Sequence, residues 1–171
     1  MQTAHSWRTI NPRLVNGLGV LLAITSYLFA YFFLQVYLEL EPCPLCMIDR
    51  IFVTAAGLFF LLAFIHNPAT FGQRIYGLFA ALMALAGILV CWRHIYLQNL
   101  PTDLIPSCAP DLDYMLEVLP TNEMLSIIFN TSGECADTQW VFLGFTIPEQ
   151  TLMVFNVLFA LGLYQVFRPR P

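Results

Sequence analysis

Glu41-Pro42-Cys43-Pro44-Leu45-Cys46-Met47-Ile48-Asp49-Arg50 lies between two long apolar runs. Its two thiols are three positions apart, and an arginine follows the second by four residues. A thiol pair at the mouth of a membrane helix, with a permanent cation one turn below it, is a place to exchange electrons.

The flanking sequence sets the fold. Apolar residues make up 58% of the 171-residue chain and charged residues only 11%, whereas soluble domains carry about 25% charged residues. The chain reads as an integral membrane protein. It has no lysine, its net charge is −4, and it has no basic stripe, so a nucleic-acid partner is excluded. The run Leu14–Leu38 holds 25 residues without a charge. A secretory signal core has about 7–15, so this run is expected to be a span that the mature protein keeps. Spans over 47–65, 75–97 and 148–167 complete a set of four, each near the ~20 apolar residues that a membrane helix needs. The expectation is an all-α, polytopic membrane four-helix bundle forming a single domain over 1–171. Its loops on one side cover 39–46 and 98–147.

Arginine distribution orients the bundle. Arg8, Arg13, Arg74, Arg168 and Arg170 share one side, and Arg50 and Arg93 the other. All eleven acids fall with the second group. The arginine bias predicts cytoplasmic termini and exported loops. Cys43, Cys46, Cys108 and Cys135 then lie outside, where disulfides persist. Cys91 lies within the third span and is expected to be a small apolar filler. In the long loop, 111–119 and 121–129 have helical apolar spacing, with Asp111 and Thr121 or Asn122 as N-caps. Such short helices gain from lying on the bilayer surface or packing on the helix ends. Trp7, Trp92, Trp140, Tyr37 and Tyr96 suit an interfacial aromatic belt.

Three features are expected to favour a thiolate at Cys46. Pro44 suits the first turn of a helix, so Cys46 lies near its N-terminus. The free N–H groups there favour an anion, and Arg50 lies at i+4 on the same face. Glu39, Glu41 and Asp49 oppose the charge from farther away. A Cys43–Cys46 bridge closes almost no loop and is a poor staple. A Cys108–Cys135 bridge spans 27 positions and could stabilise by on the order of 3–4 kcal/mol, so that pair could be purely structural. No second Cys-x-x-Cys or His-x-x-His completes a zinc set, so no metal is expected. A dithiol that passes on oxidising power must be reoxidised, and the lipid bilayer offers a diffusible quinone. Arg50 could bind a quinone carbonyl and stabilise its reduced form. His94, near the outer end of span three, is a second candidate; the plainer alternative is an interfacial histidine bonded to backbone.

Several pieces together resemble the DsbB family of disulfide bond formation proteins. They are Pro42-Cys-Pro-Leu-Cys46 with Arg50, Leu97-Gln-x-x-Pro101, Pro106-x-Cys108, Leu112-x-Tyr-Met115, Gly133-Glu-Cys-Ala136 and Gln139-Trp-x-Phe-Leu-Gly144. Asp49 departs from the Gln or Glu usual before the arginine. The resemblance implies a bacterial inner-membrane four-helix bundle. Such a protein would oxidise a DsbA-like periplasmic thioredoxin-fold partner and pass electrons to ubiquinone or menaquinone. It further implies that Cys108 forms the mixed disulfide, with Cys135 its original mate. Cys43 would link transiently to Cys108, and Cys46 would face the quinone with Arg50 assisting. Two alternatives stay open. One is a vitamin K epoxide reductase-like enzyme running electrons the other way, although that family's motif sits near the end of a later span. The other is a non-catalytic metal-binding or assembly membrane protein.

Overall fold

The computed structural model describes residues 11–101, 120, 123 and 133–168. Cys108, Trp7, Arg8, Arg170 and, but for Glu123, the expected loop helices lie outside these residues. Among the described residues, four helices are long and apolar enough to cross a membrane. The first comprises α1 (Pro12–Leu28) and a π-helical continuation, Phe29–Tyr37. Then come α2 (Pro44–His66), α3 (Thr70–Gln98) and α4 (Ile147–Phe167). The expected all-α four-helix bundle is borne out. One addition is a small antiparallel hairpin, β1 (Val141–Phe142) with β2 (Phe145–Thr146), leading directly into α4.

Local chemistry fixes the helix ends. Asn11 caps α1 by accepting the Arg13 N–H at 3.0 Å. Pro44 opens α2, where its missing N–H costs nothing. Asn67 closes α2 in the left-handed region (φ 38°), and Pro68 follows to prevent continuation. Glu149 accepts the Thr146 N–H at 2.7 Å at the start of α4. Helix α2 begins earlier than the apolar run suggests, so both thiols of the motif belong to its first turn. The π-helical segment is the other departure. It keeps the length of the first span but widens its thiol end, the usual setting of such turns being a functional site.

The bundle is packed with small residues inside and large ones outside. Ala80, Ala84, Ala56 and Phe60 are buried in the centre with Phe155 and Leu158. Leu14, Leu21, Ile51, Leu89 and Val157 point outward, as a lipid-facing surface requires. The α3–α4 seam is the closest approach. A Cβ built on Gly162 would lie 2.9 Å from the Gly77 carbonyl oxygen and 3.0 Å from the Ala81 backbone nitrogen. Gly162→Val should therefore push α3 and α4 apart, destabilising by about 1–3 kcal/mol. Reversible unfolding in mixed micelles measures this, and unchanged stability would mean that the seam is looser than described.

Candidate functional site

The site forms at the end of the bundle where α2 and α4 begin and α3 ends. Cys43 is the N-cap of α2, and its sulfur accepts the Cys46 N–H at 3.4 Å. The Cys43 and Cys46 sulfurs are 3.1 Å apart, a hydrogen-bonded dithiol. His94, in the last turns of α3, brings Nε2 to 3.9 Å from the Cys43 sulfur. Cys135 sits in a one-turn 3₁₀ segment, Gly133–Ala136, and is buried against the same cluster as Cys43, Leu45, Val90 and Leu97. The loop after it is tied down twice. Gln139 donates to the Glu41 carbonyl at 3.2 Å, and Trp140 stacks on Phe142 and meets Phe29 and Phe33.

These positions correct the expected location of the stabilised anion. The free N–H of the first turn points at Cys43, because Cys43 occupies the cap position; Cys46 supplies that N–H instead. Hydrogen bonds from the Cys135 and Cys46 thiols, with a smaller share from His94, hold the Cys43 thiol well below the ordinary cysteine range, against the opposing effect of burial.

Beside the dithiol is a cleft of about 320 Å³, mostly apolar, between the first span, α2 and α4. That volume lies in the ~300–1,000 Å³ range of small-molecule sites. Cys46, Asp49, Arg50 and His94 line it, whereas Cys43 lines only a narrow crevice shared with Cys135. Arg50 does face the cleft, but its guanidinium is anchored across the bundle. It donates to Gln35 Oε1 at 2.6 Å and to the Ala30 carbonyl at 3.2 Å. Both acceptors belong to the π-helical segment. His94 is 3% exposed, and among the described residues its Nδ1 has no hydrogen-bond partner and no backbone group bonds its ring.

Three contacts at the site escaped the sequence reading. Asp49 is buried on the cleft wall with Oδ1 unpaired. Its i+3 spacing from Cys46 was a usable signal for a shared face. Cys91 is more than a filler, since its thiol donates to Asp49 Oδ2 at 3.6 Å. Gln35 is a polar residue in an apolar span, which is itself a mark of function.

A family profile described as "Disulfide bond formation protein DsbB" matches residues 12–165. The chain belongs to the DsbB family. Among its relatives, the disulfide bond formation protein B of Marinobacter nauticus is 44% identical over 159 residues, covering 93% of this chain and 94% of the relative. That of Nitrosococcus oceani is 43% identical over 159 residues, with the same coverage. That of Acinetobacter baumannii is 41% identical over 163 residues, 95% of each chain. Membership makes the chain a multi-pass bacterial membrane protein and a disulfide-forming oxidoreductase, as the DsbB resemblance implied.

In the reduced protein, the ultraviolet thiolate band that Cys43→Ala removes should persist on acidification to well below the ordinary thiol pKa of about 8.5. Depression of an acid's pKa means the charge is lost only as pH falls through the lower value. Cys135→Ala should shift that loss to higher pH. An unchanged midpoint would show that the sulfur–sulfur contact does not hold the charge.

Proposed function

We propose that this DsbB-family protein is a quinone-dependent, disulfide-generating thiol oxidoreductase. It reoxidises a periplasmic DsbA-like thioredoxin-fold protein and passes the electrons to ubiquinone or menaquinone in the bilayer. The observation that carries this reading is the division of the dithiol. Both thiols reach the crevice lined by Cys135, but only Cys46 also opens onto the membrane cleft. One thiol is placed to trade disulfides with the loop, and its neighbour to give up electrons.

The exchange begins at Cys108. A partner thiolate attacks the Cys108 sulfur of a Cys108–Cys135 disulfide, and Cys135 departs as thiolate. Attack by the partner's second thiolate on its own mixed-disulfide sulfur releases the partner oxidised and Cys108 reduced. The Cys108 thiolate then attacks the Cys43 sulfur of a Cys43–Cys46 disulfide, and Cys46 leaves as thiolate; Cys135 next attacks the Cys108 sulfur of that mixed disulfide, which restores Cys108–Cys135 and releases Cys43. The N–H groups at the start of α2 and the His94 ring stand ready for charge on Cys43 when it is released in turn.

The cleft residues fit a quinone. Apolar walls from Leu22, Val53 and Val154 suit a ring and prenyl chain, and Arg50, His94 and Asp49 supply a few convergent polar groups. A guanidinium has five N–H donors, so anchoring to Gln35 and Ala30 leaves others for a ligand oxygen. The unpaired Nδ1 of His94 is a second polar contact. When bound, the quinone supplies the two-electron, two-proton sink that restores the Cys43–Cys46 disulfide.

Orientation follows from arginine count. Five arginines go with the termini and the 66–74 turn, and two with the thiol end. This supports an inner-membrane protein with cytoplasmic termini and periplasmic redox loops. An impermeant maleimide, after mild reduction, should label the loop thiols from the periplasmic side; labelling only from the cytosol would reverse the topology and remove the electron donor.

A metal-binding role is the second reading, and one observation favours it. Cys43, Cys46 and His94 place their ligand atoms within 4.8 Å of one another. A structural zinc site wants a fourth ligand. Stopped-flow mixing with a reduced DsbA-like protein separates the two readings. Stoichiometric loss of quinone absorbance is expected, abolished by Cys108→Ala and retained in Cys91→Ala. Tightly bound zinc without quinone reduction would favour the metal role.

A further inference from the structure

The end of the bundle opposite the thiols holds a second cavity, of about 130 Å³, between the start of α1, the α2–α3 turn and the end of α4. Pro12 and Pro68 supply apolar wall, and Arg74, Arg168, Thr70, Gln73 and Gln165 supply the polar groups. The two arginines are brought together: Arg74 donates from Nη2 to the Arg168 carbonyl at 3.0 Å. The Nε of each is buried and has no hydrogen-bond partner among the described residues. The chain carries no Asp or Glu in residues 1–38, 50–102 or 150–171, so among the described residues no acidic side chain at this end pairs with either arginine. Thr70 is the first residue of α3, whose opening turn has no side-chain cap.

The floor of the cavity is rigid and already satisfied in its donors. Gln165 is 1% exposed and donates to Asn16 Oδ1 at 2.7 Å and to the Pro12 carbonyl at 3.2 Å. Asn16 donates to Gln73 Oε1 at 2.9 Å, and Gln73 to the Ala63 carbonyl at 3.5 Å. One acceptor is left over, the buried Oε1 of Gln165. The cavity thus offers two cationic donors to an anion and one acceptor to a hydroxyl. Both arginines are half-buried and line one cavity with no acidic side chain among the described residues beside them, so a bound anion would offset their charge.

We propose that this cavity binds a phosphate ester bearing a free hydroxyl, with Arg74 and Arg168 holding the phosphate and Gln165 accepting from the hydroxyl. Arginine forks match phosphate oxygens, and basic pockets between membrane helices take anionic headgroups. The same chemistry occurs in a phosphatidylglycerol headgroup and in soluble glycerol phosphate. The site is independent of the thiol chemistry and of the quinone reading.

The test is binding to the full chain in neutral detergent, by native mass spectrometry and by the rise in unfolding temperature. The probes are phosphatidylglycerol, phosphatidylcholine and glycerol phosphate. Phosphatidylglycerol should bind and stabilise, and phosphatidylcholine should not. Arg168→Gln removes a side chain with no internal hydrogen bond, so it should fold, and it should weaken phosphatidylglycerol binding about tenfold. Arg13→Gln, an exposed arginine of α1 outside the cavity, should bind as wild type does. Glycerol phosphate competing at equal concentration would assign the site to a soluble ester, and its failure to compete would assign it to lipid. The proposal is overturned if no phosphate ester binds, or if Arg168→Gln and Arg13→Gln weaken binding equally, since that is the behaviour of a diffuse positive surface.

Discussion

A bundle in lipid has no water with which to satisfy its polar groups, so each must find a partner within the protein. Mid-span polar residues such as Thr25, Thr54 and Asn156 bond back to a carbonyl one turn earlier in their own helix. The buried polar clusters sit at the two ends, and each end bonds across helices. At one end Asn16, Gln73 and Gln165 link α1, α3 and α4. At the other, Arg50 of α2 is held by Gln35 and the Ala30 carbonyl of the first span. The buried atoms that remain unpaired among the described residues, His94 Nδ1 and Asp49 Oδ1 beside the cleft and the arginine Nε atoms and Gln165 Oε1 in the opposite cavity, are expensive to leave that way. They mark the places where the fold makes room for something else.

The π-helical stretch makes sense in these terms. The Ala30 carbonyl and the Gln35 side chain, both in Phe29–Tyr37, accept from Arg50, and Phe29 and Phe33 of the same segment meet Trp140. The hairpin that carries Trp140 also feeds α4, so one short segment closes the cleft and fixes the loop beyond Cys135.

The four spans were legible because length and hydropathy are bulk properties of a run. The start of α2 was legible from Pro44 rather than from hydropathy, because Asp49 and Arg50 interrupt its apolar run just where the helix begins. The Cys-x-x-Cys motif pointed to the right atoms and the wrong sulfur. Spacing said that a helix N-terminus was near, and one residue of uncertainty in the cap position decides which thiol receives its N–H. Arg50 was visible, but its anchor was not, since pairing with a residue 15 positions earlier depends on how two helices cross. The amide trio at the far end is spread over 149 positions and has no local signature at all.

The cap at Cys43 ties a redox atom to the start of a helix. The sulfur that holds the Cys46 amide is also one that changes its bonding during a reaction cycle. Linkage then runs in both directions: what favours the anion also knits the opening turn, and fraying of that turn makes the anion a stronger base. The Cys46 amide proton becomes a built-in gauge of its neighbour, slow to exchange while the sulfur is charged and faster once it is not.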